Sequence, residues 1–138
     1  MTLSMQQLTK LISNKWLSLC LLILIASAIP ALSLINISDL PKLKVKSADK
    51  LYHLIAYASL SFSVALHYRN YKEKNISLKD FSGIFFLTIL FGIVIEVLQE
   101  SLTTYRTFDY FDILANTLGS FIGLVITSAL LQFLKINK

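Results

Sequence analysis

Asp49, His53 and Tyr57 stand four residues apart, so on a helix they form one stripe carrying a carboxylate, an imidazole and a phenol. Lys50 follows Asp49 directly. Glu96, Gln99, Glu100 and Thr103 recur at steps of three and four, which makes a second polar face. Asp109, Asp112, Asn116, Gly119 and Gly123 make a third, with Arg106 just ahead of it. Carboxylates beside an imidazole are the parts of general acid–base chemistry. Asp49 is placed to orient His53 as acid or base, Glu96 is a second proton-transfer group, and Asp112 is a further catalytic candidate. Lys50 and Arg106 suit an anionic headgroup or phosphate. Tyr57, Gln99, Asp109 and Asn116 complete a candidate substrate-binding surface.

The nucleophile is missing from this set. There is no Gly-x-Ser-x-Gly, and Ser59 and Ser101 have no base at a diagnostic spacing. His53 with Glu96, Asp109 or Asp112 has acceptable metal-ligand chemistry. No ligand-spacing motif accompanies them, so neither a metal nor another cofactor is expected. Each residue also has a structural reading. Asp49 and Asp112 can cap helix N-termini, where a carboxylate meets free N–H groups and the helix dipole. Glu96 can be a structural acid bonded to Gln99 or Asn116. His53 and Tyr57 can be packing residues, and Arg106 a headgroup anchor. Gly119 and Gly123 read first as a site of close helix packing, and a second copy of the chain is a candidate partner on the same face.

The elements that position these residues are apolar blocks. The chain has 138 residues, of which 55% are hydrophobic and 15% charged, and its mean hydropathy is +0.66. A soluble domain carries about a quarter charged residues. Four apolar blocks, at about 16–35, 51–68, 81–102 and 111–134, each approach the ~20 residues a helix needs to cross a bilayer. The expected fold is all-α, a single polytopic membrane domain over 1–138 built as a four-transmembrane-helix antiparallel bundle. Antiparallel packing brings the start of the second span, the end of the third and the start of the fourth to one leaflet. Glu96 then lies about 9 Å inside the end of its helix. A lone carboxylate at depth costs on the order of 2–3 kcal/mol, so Glu96 must be paired, hydrogen-bonded or protonated. Lys50, His53, Gln99, Arg106 and Asn116 are the available partners.

Lysine and arginine placement sets the orientation. With the N-terminus inside, Lys10, Lys15, Arg69, Lys72, Lys74, Lys79, Lys135 and Lys138 are cytoplasmic, and Lys42, Lys44, Lys46, Lys50 and Arg106 lie outside. The bias favours cytoplasmic N- and C-termini and puts the polar cluster at the outer leaflet. His67 reads as a boundary residue near the inner end, and Trp16, Tyr68 and Tyr71 as interfacial aromatics. Lys10, Lys15 and the Ala26-Ser27-Ala28 stretch also resemble a cleavable signal peptide. The apolar run continues to Ile35, long enough to span, so an uncleaved helix is the expectation. The formal charge of +5 comes from lysines between apolar blocks rather than from a basic stripe, which argues against nucleic acid and for anionic lipid. The single cysteine, Cys20, excludes an intramolecular disulfide and reads as a small apolar side chain.

The pattern Asp49-Lys50-x-x-His53-x-x-x-Tyr57, then Gly92-x-x-x-Glu96-x-x-Gln99, then Arg106-x-x-Asp109-x-x-Asp112-x-x-x-Asn116-x-x-Gly119-x-x-x-Gly123 resembles the VanZ-like membrane proteins. The resemblance covers about 49–123. It implies a bacterial cytoplasmic (inner) membrane protein from a family associated with resistance to the glycopeptide antibiotic teicoplanin, and it assigns no catalytic residue. Whether the chain is an enzyme is left open by the residues and the resemblance alike. The leading expectation is a site at the extracytoplasmic leaflet that binds or modifies an amphiphile, either a lipid-linked cell-envelope intermediate or a lipidated glycopeptide. The alternative is a non-enzymatic accessory protein whose polar cluster is structural. A proton-linked transporter is disfavoured, because the polar residues crowd one leaflet and leave no path through 84–90 or 124–134.

Overall fold

The computed structural model describes residues 4–34, 48–104 and 107–136. All of the regular structure among these described residues is helical: α1 (Met5–Ile12), α2 (Lys15–Leu34), α3 (Ala48–Lys72), α4 (Leu78–Leu102) and α5 (Tyr110–Ile136). The four long helices are those expected, each within four residues of its anticipated ends. Lys42, Lys44, Lys46, Arg106 and Lys138, used above for orientation and for the site, lie outside the described residues.

Three of the helices, α2, α4 and α5, are long and apolar enough to cross a membrane. α2 and α4 are apolar around most of their circumference, the pattern of a helix whose surroundings are themselves apolar. Of the twenty residues of α2 only Ser18 and Ile29 are buried, and Ile23, Leu24 and Leu32 point away from the protein. Pro30 is accommodated inside the helix, which continues to Leu34.

α3 differs. Its 25 residues would reach about 37 Å, yet it falls short of the apolar content of the others. The deficit comes from residues it turns inward: His53, Tyr57, Ser61, Ser63 and Asn70 are all buried. α3 packs against α2, α4 and α5, most extensively against α5. It is the hub of the bundle, and the polar groups that lower its hydropathy are shielded by its neighbours.

The α3–α5 seam depends on the absence of side chains at two positions. A Cβ on Gly119 would lie 2.2 Å from the carbonyl oxygen of Leu54, and one on Gly123 would lie 2.1 Å from that of Ala58. Close packing at these glycines was the first expectation, and α3 is the partner. Within the chain, α3 covers that face.

Two features escaped the sequence reading. α1 is a short amphipathic helix opened by a capping box between Ser4 and Gln7. At the far end of α3, His67 is not an isolated boundary residue: its Nδ1 lies 3.3 Å from Ser18 Oγ on α2. Beside it, Asn70 Nδ2 donates to the carbonyl of Ile12 (2.8 Å) and Arg69 donates to Ser13 Oγ (3.2 Å). These bonds tie the α1–α2 junction to α3. α4 begins three residues earlier than expected because Ser77 and Asp80 form a capping box, and Asp80 also accepts from Tyr68 at 2.5 Å.

Candidate functional site

Three helix ends meet at one end of the bundle. The first turns of α3 supply Asp49, Lys50, His53 and Tyr57, the last turns of α4 supply Glu96 and Gln99, and Asp109 leads into α5 with Asp112 and Asn116. Glu96, Gln99, Asp112 and Asn116 are 2–3% exposed, which places polar groups where an apolar core is the rule. Their presence requires partners.

Lys50 supplies most of the compensation. Its Nζ bonds Asp49 (3.0 Å), Asp109, and Asp112 Oδ1 (2.7 Å). One ammonium thus ties the start of α3 to the start of α5. Asp49 was expected to orient His53, and here it engages Lys50 instead. The orienting group is Asn116, whose Oδ1 lies 3.0 Å from His53 Nδ1. Across the ring, His53 Nε2 lies 3.6 Å from Asp112 Oδ2. Asp112 therefore stands between two cationic or potentially cationic groups, one at each oxygen.

Asp49 and Asp112 each sit inside the first turn of the helix, where a carboxylate complements the helix dipole as expected, rather than serving as the N-cap itself. Asp109 performs that role for α5: its Oδ1 accepts from the N–H of Phe111 (2.8 Å), and its carbonyl accepts from Asp112 (3.1 Å). The N–H of Asp109 in turn donates to Glu96 Oε1 (3.2 Å), which binds the end of α4 to the start of α5.

Lys50, foremost, and the Phe111 N–H hold the Asp109 carboxyl below the ordinary carboxylate range. A depressed value means that the folded state favours the ionised form. This contribution to stability is present above the ordinary value of about 3.9 and is lost as pH falls through the lowered one. Asp109→Asn should flatten the acid limb of a melting-temperature profile below about pH 4 while leaving the limb above pH 6 in place. An unchanged acid limb would remove Asp109 from the network.

Gln99 faces the other way, donating from Nε2 to the carbonyl of Ser33 on α2 (3.0 Å). Tyr57 is buried, its ring against Phe91 and its hydroxyl without a hydrogen-bond partner among the described residues. Gly92 makes room for it: a Cβ there would lie 3.0 Å from Tyr57 Cε1 and 3.1 Å from Asn116 Nδ2. Glu100, expected on the same polar face, is exposed and stands apart from the cluster. Ser59 and Ser101 bond backward to the carbonyls of Ile55 and Val97. Arg106 lies outside the described residues.

A groove of about 410 Å³ opens beside the cluster. Its walls are Ile25, Ala28, Ile29 and Leu32 of α2 and Tyr52, Ile55 and Ala56 of α3, and its polar lining comes from Asp49, His53, Gln99, Ser33 and Tyr57. The spacing of residues on α3 alone could not show it, because much of the wall belongs to α2, where Ser33 is the one polar lining residue. Ligand atoms of His53, Glu96 and Asp112 also lie within 4.8 Å of one another, as do those of Asp49, Asp109 and Asp112.

The VanZ/LLP1 family model matches residues 3–132, which spans every described element except the last residues of α5. The chain belongs to the VanZ/LLP1 family. No curated protein and no solved structure matches it. For this VanZ/LLP1 chain the three polar segments that carry the resemblance are thus the three that converge in space. His53, Glu96 and Asn116, on three different helices, all point into the same cluster.

Proposed function

We infer that this VanZ/LLP1 protein is a four-span protein of the bacterial cytoplasmic membrane whose polar cluster, at the extracytoplasmic leaflet, binds the head of an amphiphile. The groove between α2 and α3 receives the amphiphile's apolar chain. α3 is the fourth span, its polar face hidden by α2, α4 and α5, and both termini are cytoplasmic on the lysine and arginine bias. The observation that carries this reading is the groove itself. It is apolar along α2 and α3 and ends on His53, Asp49 and Gln99, the division a lipid-like molecule requires.

The substrate class is a lipid-linked cell-envelope intermediate or a lipidated glycopeptide of the teicoplanin kind. The carboxylates of the cluster accept hydrogen bonds, so they suit the hydroxyl and amine groups of a sugar or peptide head. An anionic phosphate would have to draw Lys50 away from the three carboxylates it now serves. That same saturation favours the second reading, an accessory protein in which the cluster is a structural plug.

One experiment separates them. Protein purified in mild detergent should carry a bound amphiphile, enriched over bulk lipid, that mass spectrometry detects. Ala28→Trp, which fills the groove from α2, should lower its occupancy roughly tenfold, equivalent to about 1.4 kcal/mol of affinity. Bulk lipid alone in both proteins would leave the structural plug as the better account.

A further inference from the structure

The geometry points to a divalent-cation site formed by His53, Glu96 and Asp112, of a kind suited to Mn²⁺, Fe²⁺ or Zn²⁺. Asn116 presents its amide carbonyl oxygen to His53 Nδ1 at 3.0 Å, and an amide oxygen only accepts, so Nδ1 carries the hydrogen. In the neutral ring the lone pair is then on Nε2. That atom faces Asp112 Oδ2 at 3.6 Å. Two acceptors so placed repel unless a positive charge stands between them. A proton on Nε2 serves poorly, because 3.6 Å is beyond the 2.7–3.2 Å of a hydrogen bond.

A metal ion fits the separation better. Two ligand atoms each about 2.0–2.2 Å from one ion lie roughly 2.8–3.1 Å apart at octahedral angles and roughly 3.3–3.6 Å apart at tetrahedral ones, and the tetrahedral span meets what is seen. Glu96 supplies the third ligand, one donor atom from each of the three residues lying within 4.8 Å of the others. The surrounding groups have the arrangement that supports metal ligands. A histidine that binds metal donates its other ring N–H to a carbonyl or carboxylate, as His53 does to Asn116. The Glu96 carboxylate is steadied by the Asp109 N–H.

The neighbouring carboxylate set makes the contrast. Asp49, Asp109 and Asp112 could also surround a cation, and there the chain supplies its own in Lys50. Lys50 takes Asp112 Oδ1, which leaves Oδ2 for the His53 side. Burial adds weight, since His53 is 9% exposed, Glu96 2% and Asp112 3%. Two further buried polar atoms flank this set without hydrogen-bond partners among the described residues, the Tyr57 hydroxyl one turn along α3 and Asn116 Nδ2. Both suit a water or ligand atom carried on the ion. One imidazole with two carboxylates is a borderline donor set, harder than zinc's thiolate sites and softer than the all-oxygen cages of Ca²⁺.

The test uses the whole chain in detergent, stripped with EDTA and titrated by calorimetry with MnCl₂ and ZnCl₂. One ion per chain should bind. His53→Ala, Glu96→Gln and Asp112→Asn should each abolish binding, and Asn116→Leu should weaken it about 10–100-fold through the lost orientation of the ring. Glu100→Gln, at an exposed residue apart from the cluster, should bind as the parent does. Electron spin-echo modulation of bound Mn²⁺ should show one imidazole nitrogen in the unmodified protein, a readout independent of whether any variant folds. No binding by the unmodified protein, Mn²⁺ bound without a nitrogen signal, or equal binding by folded ligand variants would each overturn the site.

Discussion

Gly123→Leu should leave little folded protein, and Gly123→Ala alone should lower the melting temperature measurably in detergent. The added Cβ would stand 2.1 Å from the Ala58 carbonyl oxygen and 2.2 Å from Ser61 Oγ. A carbon and an oxygen in contact need more than 3 Å, so α3 and α5 must separate by about 1 Å even for a methyl group. Backbone carbonyls cannot rotate out of the way as a side chain does. Overpacking of this kind costs about 1–3 kcal/mol for small additions and more for a whole leucine. The consequence extends to the site, because the α3–α5 spacing sets the His53–Asn116 and Lys50–Asp112 contacts.

Gly83 provides the control. A Cβ there meets nothing within 4 Å, so Gly83→Ala should be neutral or slightly stabilising, as helix propensity favours alanine by up to about 1 kcal/mol. Thermal unfolding followed by circular dichroism compares the two. Equal melting temperatures for Gly123→Ala and the parent would mean that the helices do not approach as closely as described.

The convergence of the three polar faces was legible because each face lies on a single helix and repeats at three or four residues. His53, Glu96 and Asn116 needed only the antiparallel order of the helices to be brought together. What each side chain touches was not legible. Lys50 stands in the first turn of α3, where a lysine can reach outward or turn inward. Its direction is set by Asp109 and Asp112, some sixty residues later in the chain. The pairing of His53 with Asn116 rather than Asp49 has the same origin. Asp49 is its neighbour along the helix, but Asn116 is its neighbour across the seam, and the seam is set by two glycines.

The possible metal ligands show the limit most clearly. A spacing motif exists only when two ligands share an element, and here His53, Glu96 and Asp112 come one each from α3, α4 and α5. The far-end cluster of Ser18, His67 and Asn70 was hidden for a related reason. Two of its bonds end on α2 or on the backbone of Ile12, and a backbone acceptor has no signature in residue type. α1 was overlooked because eight residues carry too few turns for periodicity to stand out, although Ser4 and Gln7 hold the spacing of a capping box.

Lys50→Met should be among the most damaging single changes at the site, and its pH dependence should run opposite to the parent's. The substitution keeps the length and apolar stem of the side chain and removes only the ammonium. Asp49, Asp109 and Asp112 then share a small volume without their common counterion, and the Asp112 side chain is only 5% exposed. Removing one partner of a buried pair costs about 3–5 kcal/mol. Lys50 is itself 27% exposed, so water tempers the loss toward the lower end, about 3 kcal/mol. In the parent, acid removes stability by neutralising carboxylates that Lys50 holds. In Lys50→Met the same protons relieve repulsion, so the melting temperature should rise as pH falls from 7 toward about 5. Adding Asp112→Asn to Lys50→Met should restore part of the loss at pH 7, because it removes the most deeply buried of the three charges. If the single variant melted as the parent does at every pH, the ammonium could not be the group that joins α3 to α5.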